Sequence, residues 1–455
     1  MADAAKAPQR RNKRAVTRTP DERPKKRAIA LAGGGPAAGL HIGALSAFEE
    51  HGVTFDVWSL SCIGAWVGVY YNQLQGKPRA SQTHAFFREH AFRDTASYRG
   101  FPVNKAFAPH LQAYADAWRK HATKYETYVN AFSFANELPD VAKGWARFLG
   151  NPEMWSRDGD VNAHVLNNIL AVNPMARYLT SLMYLSEING LSNIYYKDST
   201  FLEEIDFGRL DLVDASKLEK SLDEMSRKEL ANLAQDSGSR VADEGTDVPE
   251  IYHNALPLGD VGSEMVATGV PQLFNNKWLD YRIGNGRPKR DYLPITRPSL
   301  CACSALPYVE QTVQIPNDDG RHYSEGALVD TVSFKHLVED HSDLDEIWVC
   351  RIVDYGQVHL QKNLHDSLAN LCEQFAAEVG ENDISLFKNH LRKSAGRTPR
   401  VVEIPLHVKT KVNYHWDRDN LEVGVKEARE AVLGLLKDKG LRSQTTTNPR
   451  WQVPD

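Results

Sequence analysis

A chain of 455 residues, 42% hydrophobic and 25% charged, has material for a sizeable core in one large or two to three ordinary domains. Its formal net charge of −5 speaks against a dedicated polyanion binder, so no nucleic-acid partner is expected. The five cysteines, at 62, 301, 303, 350 and 372, form no C-x-x-C pair and have no histidines at zinc spacing, which argues against a disulfide framework and a structural metal.

Residues 1–27 carry ten Lys or Arg against three acidic residues and almost no apolar side chain large enough for a core, and read as a disordered basic arm. The arm lacks the apolar stretch of a secretory signal, and no apolar run of membrane-spanning length follows, so an intracellular protein is expected. A plain solvated tail is the simple reading of the arm; peripheral contact with anionic lipid is the sharper one.

From Arg27, "RAIALAGG" is a short apolar run ending in glycines, as in a buried parallel strand, and "PAAGLHIGALSAFEEHG" follows as a helix with Gly52 as its stop. "TFDVWSLS" is the second strand and "IGAWVGVYYNQL" the second helix. This alternation predicts right-handed crossovers and an α/β fold, a mostly parallel central sheet between helical layers. Residues from about 75 to 245 change character and read as a large helical insertion placed to cover the mouth of a site, with the charge-rich part from Lys217 to Asp247 a solvated face. Further strands are expected in "VPEIYHNAL", "EQTVQI", "DEIWVCRIVD" and "RVVEIPLHV", with helices at Leu364 to Lys393 and in "NLEVGVKEAREAVLGLLKDKG". Residues 441–455 read as a flexible tail, which leaves 28–440 as one domain including the insertion, without internal repeats.

Three local features carry chemistry. In "GGGPAAGLHIG" successive glycines and a helix N-terminus can hold a phosphate or the oxyanion of an acyl-transfer intermediate. A dinucleotide fingerprint over Gly33 and Gly35 needs its third glycine relaxed to Ala38, and no Gly-Lys-Ser/Thr follows, so a nucleotide-binding domain is the weaker alternative. In "DVWSLSCIGAWVG", Cys62 occupies a strand-to-helix junction with Gly64 two residues on, where a side chain is exposed at a helix N-terminus. Ser61 is the rival nucleophile, but a G-x-S-x-G frame centred on it would need glycines where Ser59 and Ile63 stand. In "RHYSEGALVD", Glu325 precedes Gly326 after a short strand and is a candidate base.

In order and spacing this set resembles the patatin-like phospholipase family, with "ALAGGGPAAGLHIGAL" matching its oxyanion loop, "DVWSLSCIGAWVG" its nucleophile elbow and "SEGALVD" its dyad motif. "RPSLCACSALPYVEQTVQI" matches the segment before that motif, and the likeness covers roughly residues 28–95 and 245–355. The resemblance implies a three-layer patatin-like fold and a lipid or other hydrophobic ester as substrate, without metal or cofactor. It places Cys62 at the nucleophile position, Glu325 at the dyad carboxylate, and Gly33, Gly34, Gly35 and Ile63 around the oxyanion.

Four positions depart from the family pattern: cysteine for serine, glutamate for aspartate, Leu60 for the first elbow glycine, and Ala37 where a basic residue is common. Sulfur is larger than oxygen and glutamate longer than aspartate, so the two reacting positions change together, as in a retuned pair. A thiolate needs less help from a base than a hydroxyl, while a neighbouring carboxylate opposes its formation. His41 and His322 are the imidazoles near these motifs, each read first as a packing or surface residue. The expected function is acyl hydrolysis through an acyl-Cys62 thioester, with acyl transfer or thioester exchange as a variant and an inactive lipid- or protein-binding protein as the alternative.

Overall fold

The computed structural model describes residues 24–76, 78–92, 190–192, 200–210, 248–259, 269–284, 287–315, 320–353, 364–393, 398–406 and 416–438, with single positions between them. In chain order the elements are β1 Arg27–Leu31, α1 Ala38–Glu50, β2 Val57–Leu60, α2 Ile63–Gln73, α3 Arg79–His90, β3 Gly190–Ser192, α4 Thr200–Glu203 and α5 Phe207–Leu210. After them come β4 Glu250–Pro257, β5 Gln272–Asn275, α6 Trp278–Ile283, α7 Arg297–Cys303, β6 Tyr308–Glu310, β7 Val313–Gln314 and β8 His322–Glu325. The last are α8 Lys335–Asp340, β9 Glu346–Arg351, α9 Leu364–Lys393, β10 Arg400–Pro405 and α10 Arg418–Asp438.

The apolar runs form the parallel part of the main sheet, in the order β10-β9-β1-β2-β4. These strands are buried on both faces, which is why they read as continuous apolar runs rather than alternating ones. The expected α/β class with a mostly parallel sheet between helices is therefore present. On the far side of β4 the sheet turns antiparallel, with β8 and β5 both pairing β4 and β7 pairing β8. The expected strand "EQTVQI" is two short pieces, β6 and β7, and β6 leaves the main sheet to pair in parallel with β3.

Two boundaries differ from the sequence reading. Lys25 and Arg27 form salt bridges to the buried Glu346 at 2.8 and 3.1 Å, and Lys26 reaches Asp343 at 2.7 Å, so the last basic residues of the expected arm belong to the fold. Residues 1–23 and the tail 441–455 lie outside the described residues. At the other boundary, α3 packs on α1 and α2 through the buried Phe86 and Phe87, so residues 79–92 are part of the α/β body and not of the insertion. β3, moreover, is a strand within the segment expected to be helical. Most of 93–189 and 211–247, including the charge-rich stretch from Lys217, lies outside the described residues.

α1 lies against α10 at backbone contact. A Cβ at Gly39 would stand 2.5 Å from the Leu421 carbonyl and one at Gly43 would stand 2.2 Å from that of Val425, so only glycine permits this approach. The closing helix thereby holds the helix that follows the glycine loop.

Three fully buried histidines make the fold sensitive to acid. Burial lowers His41 to about 4 and His253 and His336 to about 3, against 6.5 in the unfolded chain. The unfolded chain therefore binds more protons below pH 6.5, and stability falls as the pH drops from there toward 4. The expected result is a urea midpoint that falls steadily from pH 7 to 4.5, and a loss of roughly 2 kcal/mol or more over that range is the measurable size. An unchanged midpoint would contradict the buried neutral state of these rings.

Candidate active site

β1 and β2 are parallel neighbours, with Leu31 opposite Leu60, so the loops that leave their carboxyl ends emerge side by side. β9 lies on the other side of β1, so the chain crosses over in opposite directions from β1 and leaves a crevice at its carboxyl end. Gly33–Gly35 and Val353, after β1 and β9, both line a cavity of about 380 Å³ at this place. β8 enters from the opposite direction, and its last residue, Glu325, stands opposite Ala255 on β4, two residues beyond the level of Leu60. Three separate strand ends thus bring the glycine loop, Cys62 and Glu325 to one point.

Cys62 turns the chain from β2 into α2 with φ 48° and ψ −123°, a conformation a side-chain-bearing residue adopts only under strain. Tyr308 has φ 74°, and these two, the described non-glycine residues with positive φ, both line the cavity. Such strain costs about 1–3 kcal/mol per residue and persists where the surroundings over-determine it. Here the second elbow glycine is one of those constraints: a Cβ on Gly64 would lie 2.3 Å from the Leu31 carbonyl. Gly64→Ala should cost about 3 kcal/mol by overpacking, read as a lower thermal midpoint with loss of activity; a midpoint equal to wild type would show that α2 can move away from β1.

The missing first elbow glycine has a local explanation. Leu60 packs over Gly68 of α2, whose Cβ would stand 2.6 Å from the leucine side chain, so space is made one helical turn inside α2 instead of at the turn. Ala37, the other departure in the loops, is buried in the short turn before α1.

The Cys62 thiol donates a hydrogen bond to the Glu325 carboxylate, and the Ile63 amide is directed at the sulfur. Gly33 packs against both residues: a Cβ there would stand 3.2 Å from Cys62 Cβ and 4.0 Å from Glu325 Oε1. Cys62 is 7% exposed and Glu325 6%, so the elbow does not present its side chain to open solvent as expected but to the floor of the cavity. Burial first, and then repulsion by Glu325, push the thiol well above its ordinary 9.0, outweighing the Ile63 amide at the helix N-terminus. Burial likewise raises Glu325 to about 7, the hydrogen bond from Cys62 opposing it. The pair is therefore a neutral thiol beside a carboxyl that ionises near neutrality, rather than a preformed thiolate.

The other candidates fall outside the centre. Ser61 is buried with its hydroxyl donating to the Asp330 carbonyl at 3.4 Å, and His322 sits exposed at the start of β8 against Thr312. His41 has a structural place behind the loop: its Nε2 lies 2.8 Å from the Ala32 carbonyl just before the glycines, and its low pKa keeps the ring neutral, so Nε2–H donates.

Several residues of the site carry no motif. Trp66, Phe87 and Trp416 form apolar wall, and α9 adds Leu371, Phe375 and Ala376. The i, i+4 spacing of Leu371 and Phe375 is the one signal that could have pointed to this face. Asn254 Nδ2 donates to the Asp330 carbonyl at 2.7 Å, and the Asp383 carboxylate accepts from the Thr331 and Val332 amides at 2.9 and 3.0 Å, which fastens the loop after Glu325 to β4 and α9. Among the described residues there is no group of three or more His, Cys, Asp or Glu able to hold a metal ion, and no helix is long and apolar enough to cross a membrane.

A strained elbow on a parallel strand, a glycine loop on the next and a carboxyl facing the elbow define a two-residue hydrolase centre on an α/β sheet. The chain belongs to the patatin-like phospholipase family, whose model matches residues 29–338, and families of this kind are generally hydrolytic. Among solved structures it is similar to VipD from Legionella pneumophila, at 12% identity over 91% of this chain and 67% of that one, with a TM-score of 0.36. No curated protein matches the chain by sequence.

Proposed function

We propose that the protein is a lipid acyl hydrolase working through a thioester on Cys62. The observation that carries this reading is the hydrogen bond from the strained Cys62 to Glu325 on the floor of an apolar cavity. Sγ attacks the ester carbonyl carbon while the thiol proton passes to the Glu325 carboxylate, and the negative charge that develops on the carbonyl oxygen is met by amides of Gly34, Gly35 and Ile63. The tetrahedral intermediate collapses, the alcohol leaves with the proton returned by Glu325, and the acyl group remains on sulfur. Water then attacks the thioester, gives its proton to Glu325, and the acid departs as Sγ regains a proton. Because the thiol is neutral at rest, Glu325 is required for its attack, as in a serine–carboxylate pair.

The apolar wall favours acyl transfer as a second reading, since it limits water at a thioester that alcohols and amines also attack. Intact mass after brief exposure to a p-nitrophenyl ester tests both readings. A single acyl adduct on wild type, released by hydroxylamine and absent from Cys62→Ala, is expected, and added alcohols should yield new esters if transfer operates. Equal rates and no adduct in both proteins would leave an inactive binding protein.

A further inference from the structure

The walls of the cavity have an uneven charge that the proposed chemistry does not use. Besides Glu325, two more carboxyl side chains line it, Glu310 from β6 and Glu373 from α9, both buried to within 4%. Among the described lining residues there is no Lys, Arg or His. An anionic group entering this space would meet carboxyls and no counter-charge in a low-dielectric surrounding, where like charges repel far more strongly than in water. A cation would meet the opposite situation, and the same walls carry the aromatic faces of Trp66 and Trp416, which attract ammonium groups. The Trp66 indole is held in place by its N–H donating to Ser304 Oγ at 2.9 Å, so one of these faces is preset.

From this we infer that the cavity selects acyl esters whose alcohol carries a quaternary ammonium or is uncharged, and rejects those with an anionic group, with Glu310 and Glu373 as the specificity-determining residues. The inference rests on the acyl-hydrolase reading for its substrate class, but the selectivity of the cavity itself does not need turnover.

The kinetic test compares three esters of one medium-chain acid: with choline, with its uncharged isostere 3,3-dimethylbutanol, and with a hydroxyalkanoate of equal length. At pH 8 the expected order of kcat/KM is choline above isostere above hydroxyalkanoate, each step about tenfold. Glu310→Gln and Glu373→Gln, checked for native circular dichroism, should each lower the choline-to-isostere ratio at least threefold. A hydroxyalkanoate ester as good as the isostere, or a ratio unmoved in both variants, would overturn the inference. If no ester turns over, the hydrolase reading fails and binding decides the rest: displacement of a neutral solvatochromic dye by decyltrimethylammonium should need at least tenfold less ligand than displacement by decanoate. Equal displacement by the two would overturn the inference on its own.

Discussion

Cys62→Ala should lower ester turnover by about 10³-fold or more, because removing a nucleophile also removes the covalent route that the base serves. Cys62→Ser should keep measurable hydrolysis. This follows from the state of the thiol: burial and Glu325 hold it protonated well above 9.0, so attack proceeds with proton transfer to Glu325, a task a hydroxyl can share. Side-by-side steady-state and burst kinetics on the three proteins distinguish the possibilities. Complete loss in Cys62→Ser with full activity in wild type would mean that a thiolate is the attacking species and that the neutral-pair mechanism is wrong. Wild-type rates in Cys62→Ala would remove Cys62 from the chemistry altogether.

Glu325→Gln should have opposite effects on rate and stability. The rate falls by about 10²-fold or more, since glutamine cannot accept the proton. Stability moves the other way because the folded Glu325 carboxyl ionises at about 7 against an ordinary 4.5, with burial as the cause. Between these values the unfolded chain has already released its proton and the folded one has not, so the fold loses stability as the pH rises through this window, by up to roughly 3 kcal/mol, and nothing further above it. Glutamine has no charge to bury, so the variant should melt about 3 °C above wild type at pH 8 and equal to it at pH 4.5. The same ionisation predicts that wild-type kcat/KM rises tenfold per pH unit up to about 7 and then levels. A flat profile from pH 5 to 8, or a variant less stable than wild type at pH 8, would contradict the buried-carboxyl account.

The same pair shows how far residue types alone carry. A cysteine at a helix N-terminus suggests a stabilised thiolate, and a nearby carboxylate suggests the reverse; which prevails depends on how much water reaches the sulfur. Cys62 at 7% exposure settles it in favour of the neutral thiol, because desolvation acts on the anion more strongly than one directed amide can offset. Leu60 is a similar case. As a departure from the elbow pattern it reads as decay, until Gly68 is seen to leave room for it.

The parallel strands, the helices after them and the three motif positions were legible in the linear sequence, because each rests on a local signal: a continuous apolar run, a glycine at a close approach, or a turn residue at a junction. Helix α9, from Leu364 to Lys393, was legible to its ends for the same reason. What only the tertiary structure decided is what those elements enclose. Glu310, Glu373, Trp416 and the Leu371–Ala376 face come from a short strand, the loop before α10 and a late helix, and nothing in their local sequence marks them as neighbours of Cys62. The strand pair β3–β6 and the docking of Lys25, Lys26 and Arg27 onto Glu346 and Asp343 were likewise out of reach, since each is a contact between segments more than a hundred residues apart. Local periodicity specifies which segments become strands and helices; the charge and shape of the cavity they surround follow from long-range packing, which periodicity does not encode.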